Sequence, residues 1–449
     1  MKKSILYSTV AFLLFLFFQG CSSSDVVSTP NQNSSAFQVP TTENIVMYEI
    51  NPVAFSSTKD IQGITNRLDY LKNLGINTIW IMPIYPVGIV NSFGSFYCVK
   101  DYKSVRASLG SMNDFKNLVA TAHQKGIAVI LDWVANHTSW DNDWIYTNPS
   151  WYTHDSMGNI VHPIGTNWND VADLNFDNQD MRIAMIDAMK YWVTETNIDG
   201  FRCDAADFVP YDFWVQANTS LNSIPNKHLI LLAEGARADH FAAGFQLNFS
   251  WDYLNTIKNV FGNNQQNANS IISSSNTEYA VVPLGKKKLR FITNHDESNI
   301  ATPNTIYGGS NGAIAATVIT MYLQGVPLLY CGQEVGVSNT STYNGVNTID
   351  FNSNPEILTS YKKILSFYNS SQTVKQGTTI NFNDNNVVVF QKTLNSEKVL
   401  VLVNTRFGTQ NFNVPSQIQG NWTNALTNES ISLSGNISLF GFQYLILKR

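Results

Sequence analysis

The sequence predicts an α/β protein built on a (β/α)8 TIM barrel and followed by a smaller all-β domain. From Ile45 onward, short β-rich runs alternate with longer amphipathic runs, which is typical of parallel strands covered by helices. Eight such β-runs precede about Ser371, the number that closes a barrel. Beyond that point short β-runs follow one another with no helical run between them. We therefore expect two folded domains, residues 42–371 and 372–449.

Each barrel strand is assigned to a short apolar run. The eight runs are Ile45–Ile50, Thr78–Met82, Ile127–Trp133, Gly200–Asp204, His228–Ala233, Gly244–Asn248, Leu289–Asn294 and Val326–Cys331. Five amphipathic runs between or after them predict helices. These are Ile64–Leu74, Asn113–Lys125, Met181–Thr196, Gly312–Leu323 and Pro355–Tyr368.

A long insertion follows the third strand. It is rich in Trp, Asn, Asp and Gly, and a loop of this length is usually functional or a small subdomain. We assign a loop domain to about 137–175. Its tryptophans either stack on a ligand or form the core of the subdomain, and we expect the second role for at least half of them: Trp140, Trp144, Trp151 and Trp168.

The C-terminal domain is predicted from four short β-runs separated by Asn, Gly and Ser turns. The runs are Val387–Lys392, Val399–Val403, Ile431–Leu433 and Phe442–Leu447. Because no helical pattern separates them, residues 372–449 are predicted to be an all-β unit.

Composition excludes several classes of protein. Apolar residues make up 44% and charged residues only 14%, against roughly 25% charged on average, so a disordered chain is excluded. Four cysteines are too few for a disulfide scaffold, and Cys98, Cys203 and Cys331 are expected to be buried free thiols. With 28 basic and 33 acidic residues, we expect no nucleic acid partner.

The N-terminus has the pattern of an export signal. Lys2 and Lys3 precede an apolar run over 5–18, shorter than the roughly 20 residues of a membrane span, so residues 1–20 are predicted to be a signal peptide. Gly20-Cys21 resembles the lipobox of bacterial lipoproteins, with Cys21 as the lipidated residue; the alternative is a plain cysteine. The Ser/Thr/Asn/Gln/Pro-rich segment 21–41 is expected to be a flexible tether. The protein would be exported and lipid-anchored to the bacterial cell envelope, at the outer membrane.

Polar residues gather at the predicted carboxyl ends of four strands, where barrel active sites lie. The third strand ends at Asp132, Asn136 and His137, the fourth at Arg202 and Asp204, the fifth at Glu234, and the seventh at Asn294, His295 and Asp296. Packing requires apolar side chains in strands, so charge at successive strand ends indicates a catalytic site.

The carboxylates suit glycoside hydrolysis better than a metal cage, whose ligands usually come from one loop. Glycosidases need an ionised carboxylate and a protonated acid. Arg202 lies two residues before Asp204 on the same strand face and is expected to keep the pKa of Asp204 low. The apolar run before Glu234 is expected to raise the pKa of Glu234. Asp296 would stabilise an oxocarbenium-like transition state.

The segments that carry these residues resemble the motifs of glycoside hydrolase family 13, the α-amylase family. The matching segments are Asp132-Trp-Val-Ala-Asn136-His137, Val171-Ala-Asp173-Leu-Asn175, Gly200-Phe-Arg202-Cys-Asp204, Ala233-Glu234-Gly and Phe291-Ile-Thr-Asn294-His295-Asp296. Met47-Tyr48-Glu-Ile resembles the first strand of the family, and the run from Gln324 to Glu334 resembles the eighth. The resemblance covers roughly residues 45–370 in the right order.

The resemblance implies a barrel, a loop domain after the third strand, a C-terminal β-sandwich and hydrolysis of α-glucosidic bonds with retention. It implies Asp204 as nucleophile, Glu234 as general acid/base and Asp296 as transition-state stabiliser. It implies six sugar-binding residues: Arg202, His137, His295, Tyr97, Asn294 and Asp132. It also places Asn136 and Asp173 where the family binds Ca²⁺, or, alternatively, where they only pin the loop domain by hydrogen bonds.

Two departures from the family pattern bear on specificity. Asp207 and Phe208 occupy positions where α-amylases often carry Lys-His, which changes the expected sugar contacts on the leaving-group side. Cys98 stands where exo-acting oligo-α-glucosidases carry an Asp that grips a terminal glucose. The absence of that Asp favours an open, endo-acting cleft.

The sequence thus predicts a monomeric, lipid-anchored α-amylase that cleaves internal α-1,4 bonds of starch and maltooligosaccharides. A neopullulanase or α-1,6-acting glucosidase, or an α-glucan transglycosylase, is the alternative on the same scaffold. A non-catalytic glucan-binding lipoprotein is a third reading, which the three intact carboxylates disfavour.

Overall fold

A computed structural model describes residues 37–261, 266–340 and 347–449. The predicted signal peptide, Cys21 and residues 21–36 of the predicted tether lie outside the described residues. Of the last tether residues, Phe37 stacks on the ring of His123 with centroids 4.1 Å apart, and Val39 packs against the apolar interior of the barrel. Both side chains are apolar, which favours their packing against the barrel.

Eight parallel strands form a closed barrel in which consecutive strands are neighbours and the eighth pairs with the first, as the sequence predicts. Because all strands run the same way, all eight carboxyl ends open on one face of the barrel. The strands are Met47–Ile50, Thr78–Ile81, Ala128–Val134, Gly200–Asp204, Ile230–Ala233, Leu247–Phe249, Lys287–Arg290 and Val326–Tyr330.

Helices surround the barrel. The main ones are Leu68–Leu74, Met112–Gln124, Gln179–Thr196, Tyr211–Asn222, Trp251–Phe261, Asn269–Tyr279, Ser310–Leu323 and Pro355–Ser370. Shorter ones are Ile61–Thr65, Asp143–Thr147, Asp239–Ala242, His295–Ile300, Pro303–Ile306 and Gln372–Gln376. None of the helices in the described ranges is both long and apolar enough to cross a membrane.

Two differences from the predicted helices have physical causes. The predicted helix Ile64–Leu74 breaks at Arg67, whose backbone leaves the helical region and whose guanidinium lies 4.4 Å from the Phe351 ring centroid. Three of the main helices were not predicted, those that begin at Tyr211, Trp251 and Asn269. They are rich in Ser, Thr and Asn, which are weak helix formers, so packing decides their conformation.

The loop domain is held by a two-stranded antiparallel ladder, His137–Ser139 with Val171–Asp173. Trp144 and Trp151 meet edge to face with centroids 5.0 Å apart and pack on the main apolar core. These two tryptophans therefore form the small core that the sequence left as one option.

The C-terminal domain consists of two antiparallel sheets. One has six strands in the spatial order Thr378–Phe382, Val387–Leu394, Glu397–Asn404, Tyr444–Lys448, Gly420–Asn424 and Ser430–Leu433. The other pairs Gln410–Asn413 with Asn436–Leu439. Apolar side chains of both sheets share one buried cluster that includes Val389, Phe412 and Trp422, as in a sandwich. The alternation of inward apolar residues along Val387–Leu394 produces this arrangement.

Gly200, the first residue of the fourth barrel strand, is predicted to be indispensable for stability. Its φ is +145°, and a Cβ there would lie 1.9 Å from the carbonyl oxygen of Ile230 on the neighbouring strand. Gly200→Ala should lower the free energy of unfolding by about 1–3 kcal/mol or more, measured by denaturant titration. Gly408→Ala is the control, because a Cβ there meets no atom within 4 Å. Equal stability of the two variants would contradict the prediction.

Candidate active site

A cleft of about 880 Å³ opens at the carboxyl ends of the barrel strands. Its lining combines carboxylates, two histidines and aromatic rings: Phe93, Ser95, Tyr97, His137, Trp168, Asp170, Val171, Asp204, Ala205, Glu234, His295 and Asp296. Six of these side chains were predicted from sequence as site residues, namely Tyr97, His137, Asp204, Glu234, His295 and Asp296. The structure brings all six to one cavity.

Three other residues predicted to bind sugar lie beneath the cleft and do not line it. Asp132, Arg202 and Asn294 have no solvent exposure. Asn294 caps the helix His295–Ile300, where its Oδ1 accepts from the backbone N–H of Glu297 at 3.0 Å. The prediction of direct sugar contact is wrong for these three, because their side chains turn inward to support neighbouring elements.

Arg202 is the centre of this supporting layer. Nη1 lies 2.7 Å from Oδ1 of Asp132 and 2.8 Å from Oδ1 of Asp204, and Nη2 lies 2.7 Å from Oε1 of Glu234. Its guanidinium carbon also lies 4.8 Å from the Trp80 ring centroid. Burial alone would lower the pKa of Arg202, but the carboxylates outweigh it and raise that pKa, so the guanidinium stays charged.

The two central carboxylates differ in proton affinity. Burial raises the pKa of Asp204 to about 6, against the opposing effect of Arg202. Burial raises the pKa of Glu234 to about 7, again opposed by Arg202 and reinforced by the charges of Asp204 and Asp296. The prediction that Arg202 keeps the pKa of Asp204 low is wrong, because burial has the larger effect. The predicted order survives, with Glu234 the more readily protonated of the two.

Backbone geometry after the fourth and fifth strands orients Glu234. Ala205 adopts a left-handed conformation with φ +45°, and its N–H donates to Oε2 of Glu234 at 2.7 Å. Asp207 accepts from the N–H groups of Ala236 and Arg237 at 3.1 and 3.3 Å. Asp207 therefore holds the loop that follows Glu234 and does not point into the cleft.

The two histidines of the cleft have different charge states. Burial lowers the pKa of His137 to about 4, so its ring is neutral at pH 7. For His295, burial opposes the charge, but Asp296 and Glu49 outweigh it and raise the pKa to about 9. Nδ1 of His295 lies 2.5 Å from Oε1 of Glu49. Glu49 is not among the residues predicted from sequence, although a charge within an apolar strand is a visible signal.

Aromatic side chains form the floor and one rim of the cleft. The hydroxyl of Tyr97 lies 2.9 Å from both Oδ2 of Asp132 and Nε2 of His295, which fixes its ring in the floor. Trp168 contacts Phe208 with centroids 5.2 Å apart, and Phe208 is 53% exposed. We call Trp168 and Phe208 the aromatic ledge. Phe208 departs from the family pattern in sequence, and in the structure it lies at the rim of the cleft beside Trp168.

The side chains at the predicted calcium site do not by themselves form a Ca²⁺ cage. Ca²⁺ takes about six to eight oxygen ligands, usually with several carboxylates. Asn136 and Asp173 supply two, and within the described ranges no group of three or more acidic, His or Cys side chains gathers that could hold a metal. The backbone carbonyl of Asn136 accepts from the N–H of Leu174 at 3.2 Å, and the Tyr102 hydroxyl donates to the carbonyl of His137 at 2.8 Å. Hydrogen bonds therefore join the loop domain to the barrel.

The three free cysteines of the described chain are buried, as predicted. Cys98 Sγ lies 3.2 Å from the carbonyl oxygen of Asp170 and does not reach the cleft.

A second cavity, of about 480 Å³, lies beside the ends of the seventh and eighth strands. Its described lining includes Thr293, Tyr330 and Cys331 and no carboxylate, so it does not share the chemistry of the cleft.

The sequence is similar to those of enzymes that act on α-glucans. A cyclomaltodextrin glucanotransferase from Bacillus sp. (strain 38-2) is 27% identical over 80% of this chain, which spans only 55% of that enzyme. α-Amylase 3 of Dictyoglomus thermophilum is 27% identical over 85% of this chain and 89% of that protein.

Solved structures share the architecture as well. The crystal structure of a noncanonic maltogenic α-amylase from Thermotoga neapolitana superposes with a TM-score of 0.81 at 26% identity, covering 91% of this chain and 99% of that one. The protein-family model for the α-amylase catalytic domain matches residues 50–157 and 145–373 of the sequence. These residues include every carboxylate of the cleft. The chain belongs to the α-amylase family, glycoside hydrolase family 13.

Proposed function

We propose that this protein is a retaining, endo-acting α-amylase that hydrolyses internal α-1,4-glucosidic bonds of starch and maltooligosaccharides. One observation carries the proposal. Arg202 joins Asp204 and Glu234 from below, and both carboxyl groups open on a cleft that also contains Asp296. A more acidic and a less acidic carboxyl group side by side are what a retaining glycosidase uses.

In the first step, an ionised Asp204 oxygen attacks the anomeric carbon of the bound glucose unit. The bond from that carbon to the glycosidic oxygen breaks, and Glu234 gives its proton to the departing oxygen. The product is a glycosyl ester on Asp204, and Glu234 is left ionised. Asp296 faces the same cleft and stabilises the positive charge that develops on the sugar ring.

In the second step, a water oxygen attacks the same carbon. Glu234 takes a proton from that water, the ester bond to Asp204 breaks, and both groups return to their starting states. One water molecule is consumed per bond cleaved. Two displacements at one carbon retain its configuration.

The remaining side chains position the sugar. Tyr97 presents an aromatic ring in the floor of the cleft, and sugar rings stack on such faces. His137 and His295 border the same space and can hydrogen-bond sugar hydroxyls. In this proposal Asp132 and Asn294 hold the binding residues in place and do not touch the sugar themselves.

Two features support action within a chain rather than at its end. Buried Cys98 leaves no carboxylate at that position to grip a terminal glucose. The aromatic ledge extends the surface beyond the catalytic carboxylates and suits a further glucose unit. The name of the Dictyoglomus relative, an α-amylase, agrees with this assignment.

Transfer of the glycosyl group to another sugar is the second candidate function. The exposed aromatic ledge favours it, because a sugar stacked there would compete with water for the glycosyl ester. Relatives named cyclomaltodextrin glucanotransferase add support, although the chain spans about half their length. An α-1,6-acting or neopullulanase-type enzyme would use the same carboxylates.

Product analysis tests the assignment. Purified enzyme would be incubated with soluble starch, pullulan and maltotriose, and the products separated by chromatography. We expect a spread of maltooligosaccharides from starch and no product from pullulan. Panose or maltotriose from pullulan would instead indicate the neopullulanase or α-1,6 assignment. Chains longer than maltotriose from maltotriose would indicate transfer, and binding without any hydrolysis would support a non-catalytic glucan-binding protein.

Asp204→Asn should lower kcat on starch by about 10³-fold or more, because an amide cannot form the glycosyl ester. Circular dichroism and thermal unfolding would check that the variant folds. Asp187→Asn, at an exposed position of the helix Gln179–Thr196, is the matched control and should keep full activity. Substantial activity in pure Asp204→Asn would exclude Asp204 as the nucleophile.

The dependence of kcat/KM on pH should be bell-shaped, with its maximum between about pH 6 and 7. Asp204 must be ionised, so activity falls as the pH drops below its pKa of about 6. Glu234 must start protonated, so activity falls as the pH rises above its pKa of about 7. Glu234→Gln should remove the alkaline fall. An alkaline fall that persists unchanged in this variant would contradict the assignment of the acid.

We also propose that the protein is exported and anchored to the cell envelope through a lipid on Cys21. The support is the sequence of residues 1–41 alone, with its short apolar run, Gly20-Cys21 and polar tether. Cys21→Ser should abolish incorporation of labelled palmitate and move the protein from the membrane fraction to the soluble fraction. An unchanged distribution would contradict the anchor.

A further inference from the structure

Glu49 lies on the first barrel strand, directly behind the cleft. It has no solvent exposure, and its neighbours along the strand, Tyr48 and Ile50, are buried as well. Oε1 lies 2.5 Å from Nδ1 of His295. Within the parts of the chain that the structure describes, Oε2 has no hydrogen-bond partner. Burying a carboxylate is costly unless it is paired, and the imidazole of His295 supplies that pairing.

The other nitrogen of the same imidazole, Nε2, lies on the cleft side of the ring. Nε2 of His295 lies 3.3 Å from Oδ1 of Asp296 and 2.9 Å from the hydroxyl of Tyr97. The ring also lies against Trp80, with centroids 5.8 Å apart, so it cannot turn freely. One imidazole thus connects a buried carboxylate behind the cleft to a catalytic carboxylate in front.

We propose that Glu49 is a positioning residue that holds His295 as an imidazolium, with its Nε2–H directed at the substrate and at Asp296. This inference rests on the proposed function. A charged donor forms stronger hydrogen bonds than a neutral one, so the sugar hydroxyl that meets His295 is held more firmly. The positive charge also lies 3.3 Å from the carboxylate of Asp296 and complements a negative charge there.

Charges from several elements surround His295. Asp296 lies next to it in the chain, Glu49 comes from the first strand, and Arg202 from the fourth, with Asp132 and Tyr97 nearby. Burial and Arg202 both oppose the imidazolium, whereas the two nearest carboxylates favour it and raise the pKa to about 9. Removing the charge of Glu49 leaves Asp296 alone against burial and Arg202.

His137 provides a comparison within the same cleft. It is buried to a similar degree, but its Nδ1 lies 3.4 Å from the amide nitrogen of Asn136. Burial lowers the pKa of His137 to about 4. The two rings therefore differ in the carboxylates that face them: His295 has Asp296 at Nε2 and Glu49 at Nδ1, and the second is the role assigned to Glu49.

The decisive experiment is a titration of His295 by NMR in the full-length protein labelled with ¹⁵N-histidine. The His295 signals would be assigned from their loss in His295→Asn. Glu49→Gln keeps the shape of the side chain and removes its charge. We expect the pKa of His295 to fall by about 1–3 pH units in this variant. An unchanged titration would overturn the proposal whatever the activity of the variant.

Kinetics provide a second readout that a purely structural role would not move. The loss of kcat/KM in Glu49→Gln should be larger at about pH 8 than at about pH 6, where His295 is still protonated in the variant. In a His295→Asn background, Glu49→Gln should have little further effect, because the two residues act as one unit. Equal losses at both pH values, or additive losses in the double variant, would contradict the proposal.

Glu334→Gln is the matched control. Glu334 is also fully buried, and its Oε1 accepts from the hydroxyls of Tyr48 and Tyr70 at 2.8 Å each. Its loss should lower stability without moving the titration of His295. If the wild-type enzyme hydrolyses no α-glucan, the proposed function fails while the titration still tests Glu49. If it hydrolyses starch and Glu334→Gln shifts His295 as much as Glu49→Gln does, only the inference on Glu49 fails.

Discussion

The buried guanidinium of Arg202 is the interaction on which the catalytic end of the barrel depends. Three carboxylates from the third, fourth and fifth strands surround it, within 2.7–2.8 Å. Without this cation, those carboxylates would repel one another in a region with little water, and each would gain a proton. With it, they remain close together and keep distinct proton affinities. Two aromatic rings, Trp80 and Tyr97, close the sides of the guanidinium and exclude solvent.

The same balance of burial and pairing sets the proton affinities of Asp204, Glu234, His137 and His295. Burial raises the pKa of Asp204 and Glu234 by different amounts, so one can act as nucleophile while the other holds a proton. Two buried histidines fall into opposite charge states, and the two carboxylates beside His295, Asp296 and Glu49, account for the difference. The division of labour among these residues therefore comes from their surroundings and not from residue type.

Loops shape the rim of the cleft. Asp207 turns away from the cleft and binds backbone N–H groups of the loop that follows Glu234. Phe208, the next residue, lies at the rim against Trp168 from the loop domain. Two adjacent residues that depart from the family pattern thus have separate roles: Asp207 holds the loop that follows Glu234, and Phe208 shapes the rim of the cleft.

The sequence by itself determined the barrel, the order of its strands and the set of strand-end residues from which the cleft is built. Alternation of apolar runs is a local property, and parallel strands in a barrel must place their carboxyl ends on one face, so Asp204, Glu234 and Asp296 had to meet. Only the tertiary structure decided which polar residues face the cleft. Asp132, Arg202 and Asn294 are as polar as those that line it, but the direction of each side chain depends on neighbours distant in the chain. The pKa of Asp204 and the pairing of Glu49 with His295 were undetermined for the same reason: both depend on burial, which arises only when separate strands close around them.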